Sequence, residues 1–102
     1  MRTSLLNEHT AARVAELFRS FSDPSRVRII YAILEEEEVN TSKLAELLGL
    51  TSSAVSHHLR GLRQKQIVEA RREGKEVYYS VIDPHIVALF QQGVDHVREN
   101  QS

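Results

Sequence analysis

Up to about Lys65 the apolar residues recur every three or four positions, and from Ile67 to Val81 they alternate. A change of period from 3.6 to 2 marks a passage from helices to strands. Val14, Leu17, Phe18 and Phe21 predict a first helix from about Asn7 to Ser20. Ser22-Asp23-Pro24 starts a second, with Val27, Ile30, Tyr31 and Leu34 on its buried side and the run Glu35 to Glu38 beyond it. Thr41 or Ser42 caps a short third helix, Lys43 to Leu48. Gly49-Leu50-Thr51 makes a tight turn, and Ser52 opens a fourth helix to about Lys65. Two strands, Ile67 to Arg72 and Glu76 to Val81, flank a hairpin turn at Glu73-Gly74-Lys75. Asp83-Pro84 then starts a fifth helix, reaching Glu99, whose apolar stripe is Ile86, Leu89, Phe90, Gly93, Val94 and Val97.

The order α-α-α-α-β-β-α predicts a mainly α fold with a β-hairpin wing: a winged helix-turn-helix with an added terminal helix, one domain over residues 1–102. Leu44, Ala45, Leu48, Gly49, Leu50, Val55 and Leu59 meet the needs of the helix-turn-helix. A small residue lets the helices approach, a glycine permits the turn, and apolar groups lock the angle. At ~100° per residue, Val55, Leu59 and Leu62 share one side of the fourth helix. Ser53, Ser56, His57, Arg60 and Gln64 share the other, and all can bond to base edges or phosphates. His58 falls toward the core. Arg71, Arg72 and Lys75 surround the hairpin tip, where a wing would meet neighbouring phosphates.

Charge supports the same face. The formal net charge is −1, yet from Lys43 to Lys75 seven basic residues oppose three acidic ones, giving +4 there and −5 elsewhere. A basic middle in an acidic chain suits a nucleic-acid surface. The expected partner is therefore double-stranded DNA.

Beyond the wing lie Asp83 and His85, then His96 and Glu99. Two imidazoles and two carboxylates form a four-donor set suited to tetrahedral Zn²⁺. On one helix the two histidines stand eleven residues apart, ~16 Å along the axis, so no single ion spans them. Eleven residues is also about three turns, so both point the same way. Two such helices packed antiparallel would set Asp83 and His85 of one chain against the partner's His96 and Glu99, twice by symmetry. A homodimer with metal between its subunits follows. Phe90, Val94 and Val97 also call for a partner surface on so short a chain. Its two recognition helices would enter successive major grooves ~34 Å apart, on an inverted repeat.

The chain has no cysteine, so disulfides and thiolate metal sites are excluded. No apolar run is long enough to span a membrane and no signal-peptide pattern opens the chain, so a cytoplasmic protein is expected. Without a cysteine nucleophile, a Ser-His-acid arrangement or a glycine-rich phosphate loop, an enzyme is not expected.

Ser22-Asp23-Pro24-Ser25-Arg26-Val27-Arg28-Ile29-Ile30, the run Ser53 to Arg63 and the hairpin Arg72 to Tyr79 resemble the ArsR/SmtB family of metal-responsive winged-helix repressors. The resemblance extends over about Ala15 to Glu99, and Val55 to Arg63 is its most specific part. Asp-x-His followed by His-x-x-Glu on the last helix is similar to the inter-subunit zinc site of SmtB-type members. It is matched at Asp83, His85, His96 and Glu99. The resemblance implies a repressor that holds its operator metal-free and releases it when Zn²⁺ binds. One departure is plain. Many members carry a cysteine-containing site at the start of the third helix; here Asn40 and Lys43 stand there, which argues against arsenic, cadmium or lead sensing through thiolates. His9 is left without an evident partner. The donor types also admit Co²⁺ or Ni²⁺, or a final helix used only for dimerisation; a winged-helix protein-interaction module is the alternative from another class.

Overall fold

The structure, a computed structural model, describes residues 5–101. Along them run α1 (Glu8–Arg19), α2 (Pro24–Glu36), β1 (Val39–Asn40), α3 (Thr41–Leu48), α4 (Ser52–Gln64), β2 (Glu69–Glu73), β3 (Glu76–Ser80) and α5 (Pro84–Glu99). This is the winged helix-turn-helix expected, with one strand more.

Each helix opens on a polar side chain that takes up an otherwise orphaned backbone N–H. Asn7 accepts from Thr10 N at 2.8 Å, Asp23 from Arg26 N at 3.1 Å and Thr51 from Ala54 N at 3.0 Å. The cap of α3 is a correction: Asn40, rather than Thr41 or Ser42, accepts from Lys43 N at 2.8 Å. The amide oxygen of Asn40 caps as well as a hydroxyl does, and Thr41 becomes the first helical residue. At the far end of α3, Gly49 adopts the left-handed conformation (φ +68°), and Leu50 N returns to Ala45 O at 3.1 Å.

The sheet is antiparallel in the order β1-β3-β2. Its ladder pairs Glu69 with Ser80, Arg71 with Tyr78 and Glu73 with Glu76, turning through Gly74 (φ +62°) and Lys75. The expected strands were too long at both outer ends. Ile67 and Val68 are buried but pack before the ladder begins, and Val81 lies beyond it. β1, which pairs Val39 with Tyr79 and Asn40 with Tyr78, has two residues and offers no period to detect.

The core gathers Ile29, Ile30 and Ile33 of α2, Leu44 of α3, Val55, Leu59 and Leu62 of α4, and Val39, Ile67 and Val68 from the chain flanking the sheet. The buried face of α2 is thus turned from the one expected. Ile29, Ile30 and Ile33 are fully enclosed, whereas Val27, Tyr31 and Leu34 are half-buried. α2 is the central helix, packed against α3, α4 and β3, so its enclosed face is wider than one stripe.

α1 buries no residue, and Phe18 is 52% exposed. It is held partly by Glu16, which pairs with Lys65 just past α4 and with Arg19 at 2.9 Å. α5 is anchored by Ile86 and Phe90. Phe90 is a second correction. Expected on a subunit surface, it is 7% exposed and stacks on Phe21 with ring centroids 5.6 Å apart, leaving Val94 half-buried and Val97 exposed. Among the described residues no helix is long and apolar enough to cross a membrane.

A Cβ added at Gly49 or at Gly61 in α4 would meet nothing within 4 Å, so backbone conformation alone sets the effect of alanine there. Gly49→Ala should cost about 1 kcal/mol or more for a left-handed L-residue. Gly61→Ala should instead stabilise by about 0.5–1 kcal/mol. Denaturant unfolding of the two variants measures both, and a loss at Gly61 would mean that packing decides.

Candidate nucleic-acid interface and metal centre

The inner face of α4 is locked: Val55 and Leu59 are fully buried and Leu62 nearly so. That burial sets the helix's rotation and turns Ser53, Ser56, His57, Arg60 and Gln64 outward, all exposed. None of them is held in an ion pair among the described residues. Arg60, Ser56 and Gln64 line a crevice between α4 and the sheet together with Arg63 and Tyr79. Arg63 is a cation that the helical-face reading omitted. It lies one turn beyond Arg60, which is the signal that could have found it.

His58 turns inward as expected. Its Nε2 is 4.0 Å from Asp23 of the α2 cap, and its buried Nδ1 has no partner among the described residues. His57 is exposed, its ring 5.8 Å from that of His58. His9 is exposed on α1.

The three basic residues of the wing are not equivalent. Arg72 and Lys75 are exposed and carry no ion pair among the described residues. Arg71 is engaged from two sides. It donates through Nε and Nη2 to both carboxylate oxygens of Glu38 at 2.9 and 2.8 Å, and through Nη1 to Glu73 at 2.6 Å. Its guanidinium lies over the Tyr78 ring, 5.1 Å from the centroid. The bond from Arg71 holds the Glu38 carboxyl below its usual range.

At the start of α5, Asp83 Oδ1 accepts from His85 N at 2.8 Å and stands 3.0 Å from His85 Nδ1. The backbone N–H of His85, and then its ring, hold the Asp83 carboxyl below the ordinary carboxylate range, so it is ready to act as an anionic donor. The His85 side chain is 94% exposed. His96 and Glu99, in the last turns of α5, are exposed as well. Among the described residues no three potential metal donors meet within the one chain. The set stands as two exposed pairs, one at each end of a 16-residue helix.

Between α1 and α5 runs an apolar groove of about 760 Å³, lined by Phe18, Phe21, Leu89, Phe90, Val94 and Val97, with His96 on its rim. Beside it, Arg98 donates to the Tyr31 hydroxyl at 3.1 Å and so fastens the end of α5 to α2.

Residues 23–70 match the model of the bacterial regulatory protein arsR family. The chain is 41% identical over 90 residues to a transcriptional repressor SmtB homolog of Synechocystis, covering 88% of this chain and 67% of that protein. It is 38% identical to a cadmium resistance regulatory protein CadC homolog of Staphylococcus aureus, over 84% of this chain and 71% of the relative. In structure it resembles the antimony-specific transcriptional repressor AntR, with TM-score 0.88 at 26% identity over 95% of this chain and 87% of that one. The repressor PagR of Bacillus anthracis superposes with TM-score 0.75 at 27% identity, over 84% and 98%. Helix order, wing and relatives agree, and the chain belongs to the ArsR family of bacterial transcriptional regulators.

Proposed function

We propose that the protein is a metal-responsive repressor that binds an inverted-repeat operator as a metal-free homodimer in the cytoplasm and is released when Zn²⁺ binds between its subunits. The observation that carries this reading is the split donor set. Two exposed pairs, Asp83 with His85 and His96 with Glu99, end the same helix that walls an unpartnered apolar groove. A second copy seated on that groove buries apolar surface that one chain leaves open. Packed antiparallel, it sets each pair against the complementary pair of its partner.

The donors fit the ion. Neutral imidazole nitrogen and carboxylate oxygen are zinc ligands, and a set of four suits tetrahedral coordination. The bonds from His85 further favour the ionised form of Asp83. Co²⁺ and Ni²⁺ accept the same donor types, and geometry separates them. The SmtB-homolog and cadmium-resistance relatives support metal response in general, but a chain without cysteine has no thiolate to offer a soft metal. A bound Zn²⁺ would supply a cross-link between the two final helices. The chain's own residues do the rest: Val55, Leu59 and Leu62 hold the reading face of α4 outward, and Ser53, Ser56, His57, Arg60 and Gln64 meet the groove. Arg72 and Lys75 of the wing meet phosphate.

On a duplex selected by the protein from a random pool, affinity should fall steeply with salt. Arg72→Ala should weaken binding to all sequences and lower the salt slope by about 1, whereas Ser56→Ala or His57→Ala should also relax sequence preference. If His57→Ala leaves both affinity and preference intact, the reading face lies elsewhere.

His96→Ala and Asp83→Ala should each reduce Zn²⁺ affinity more than about 10-fold while sparing metal-free DNA binding. A mixed dimer tests the sharing. With His85→Ala in one subunit and His96→Ala in the other, one site stays complete and the second loses both imidazoles. Calorimetry should therefore count half the tight sites; two equally damaged sites would mean that each site is built within one chain. Zn²⁺ should weaken binding of the wild-type dimer to the selected duplex by roughly 5- to 150-fold, the range of common allosteric couplings. Unchanged binding would make the metal structural, and tighter binding would make it a co-repressor.

A further inference from the structure

Strand pairing sorts the wing into two faces. Residues directly opposite on paired strands share a face, and neighbours along a strand alternate. Ala70, Arg72, Val77, Tyr79 and Val39 thus lie on one face, and Tyr79 lines the crevice against α4. Arg71, Glu73, Glu76, Tyr78 and Asn40 lie on the opposite face, turned from the recognition helix. Arg72 shares a side with the reading helix. Arg71 does not.

The outer face is also acidic. Arg71 is its one cation among those residues, against Glu73, Glu76 and the reaching Glu38. Arg71 spends three N–H groups on two carboxylates and rests on the Tyr78 ring. A phosphate approaching it would meet two negative charges first. Exposed ion pairs contribute little as a rule; a bidentate fork in a network, stacked on a ring, is the exception.

The contact spans the sheet. Glu38 precedes β1, Arg71 lies in β2, and Tyr78 lies between them in the central strand β3. A second tie runs parallel. Asn40 donates from Nδ2 to Glu76 at 2.7 Å, while its Oδ1 caps α3. Two side-chain bridges thus join the wing to the segment from which the helix-turn-helix starts.

We propose that Arg71 is a positioning residue: its pair with Glu38 straps the wing at a fixed angle to the helix-turn-helix, so that Arg72 and Lys75 meet the phosphates. The strap rests on the DNA-binding reading for its purpose, but not for its existence.

The test is a double-mutant cycle of Glu38→Gln and Arg71→Gln with Arg72→Gln as control. Binding to the duplex selected by wild-type protein is measured across a salt series, and amide hydrogen exchange of residues 70–78 is measured without DNA. Each single strap variant should weaken binding about 2- to 10-fold, with the double variant no worse than either. The salt slope should be unchanged in all three and should drop by about 1 in Arg72→Gln alone. Wing amides should exchange faster in the strap variants and as wild type in Arg72→Gln. The proposal is overturned if Arg71→Gln lowers the slope by about 1 while Glu38→Gln, freeing the guanidinium, binds as well or better. It also fails if neither strap variant changes wing exchange. Should wild-type protein select no duplex at all, the DNA-binding reading is what fails, and exchange alone then judges the strap.

Discussion

Burial of Ile29, Ile30 and Ile33 at the centre of the molecule is the constraint on which the other features depend. These side chains give α3, α4 and the sheet one common surface to pack on. With Val55, Leu59 and Leu62 pressed inward, the rotation of α4 about its axis is set, because moving any of them out would expose apolar area at ~25 cal/mol per Å². Among the described residues the outward side chains make no ion pair. A reading face is thus the complement of a packing face.

The same packing leaves α1 and α5 unfinished. α5 holds on through Ile86 and Phe90, and α1 has no fully buried residue, with Leu17 only partly packed on the core. What the core does not enclose becomes the groove between them, and of the candidate donors His96 lines it. An apolar groove that needs a second chain and a donor set that needs a second chain lie along one helix. In the proposed dimer, pairing of the subunits and metal binding would draw on the same event, and a change in how two α5 helices meet would move the two reading helices relative to one another. Arg98, bonded to Tyr31, fastens the last turn of α5 to α2 and so to the core that fixes α4.

Much of this was legible along the chain because it is local. Helices declare themselves through period and caps, and Asp23 and Asp83 each cap a helix just before a proline at its first position. The reading face of α4 follows from three apolar positions and the pitch of a helix. What escaped was non-local. β1 exists only because β3 offers it an edge, and Phe90 turned out to be core because Phe21, far off in sequence, stacks on it. Arg71 looks like its neighbour Arg72 until Glu38, 33 residues earlier, is brought across the sheet. The candidate metal donors are the reverse case: their types and spacing are readable, yet among the described residues one chain brings no three of them together.

The segment from Glu38 to Asn40 shows how a position can be taken by structure and so withheld from sensing. The family resemblance leads one to expect a thiol at Asn40. Here its amide caps α3 through one atom and ties Glu76 through the other, Val39 is 3% exposed in the core, and Glu38 holds Arg71. Each side chain in this short stretch joins a different part of the reading head: the helix-turn-helix, the core and the wing. A metal ligand placed there would have to give up one of those bonds to turn toward an ion, and the reading head would be disturbed before any signal arrived. Donors at the two ends of α5 carry no such conflict. His85, His96 and Glu99 are exposed and bear none of the core's weight, and Asp83 caps α5 from an exposed position at its start. On the proposed reading, sensing by oxygen and nitrogen at a dimer seam would be compatible with a wing fastened by its own side chains.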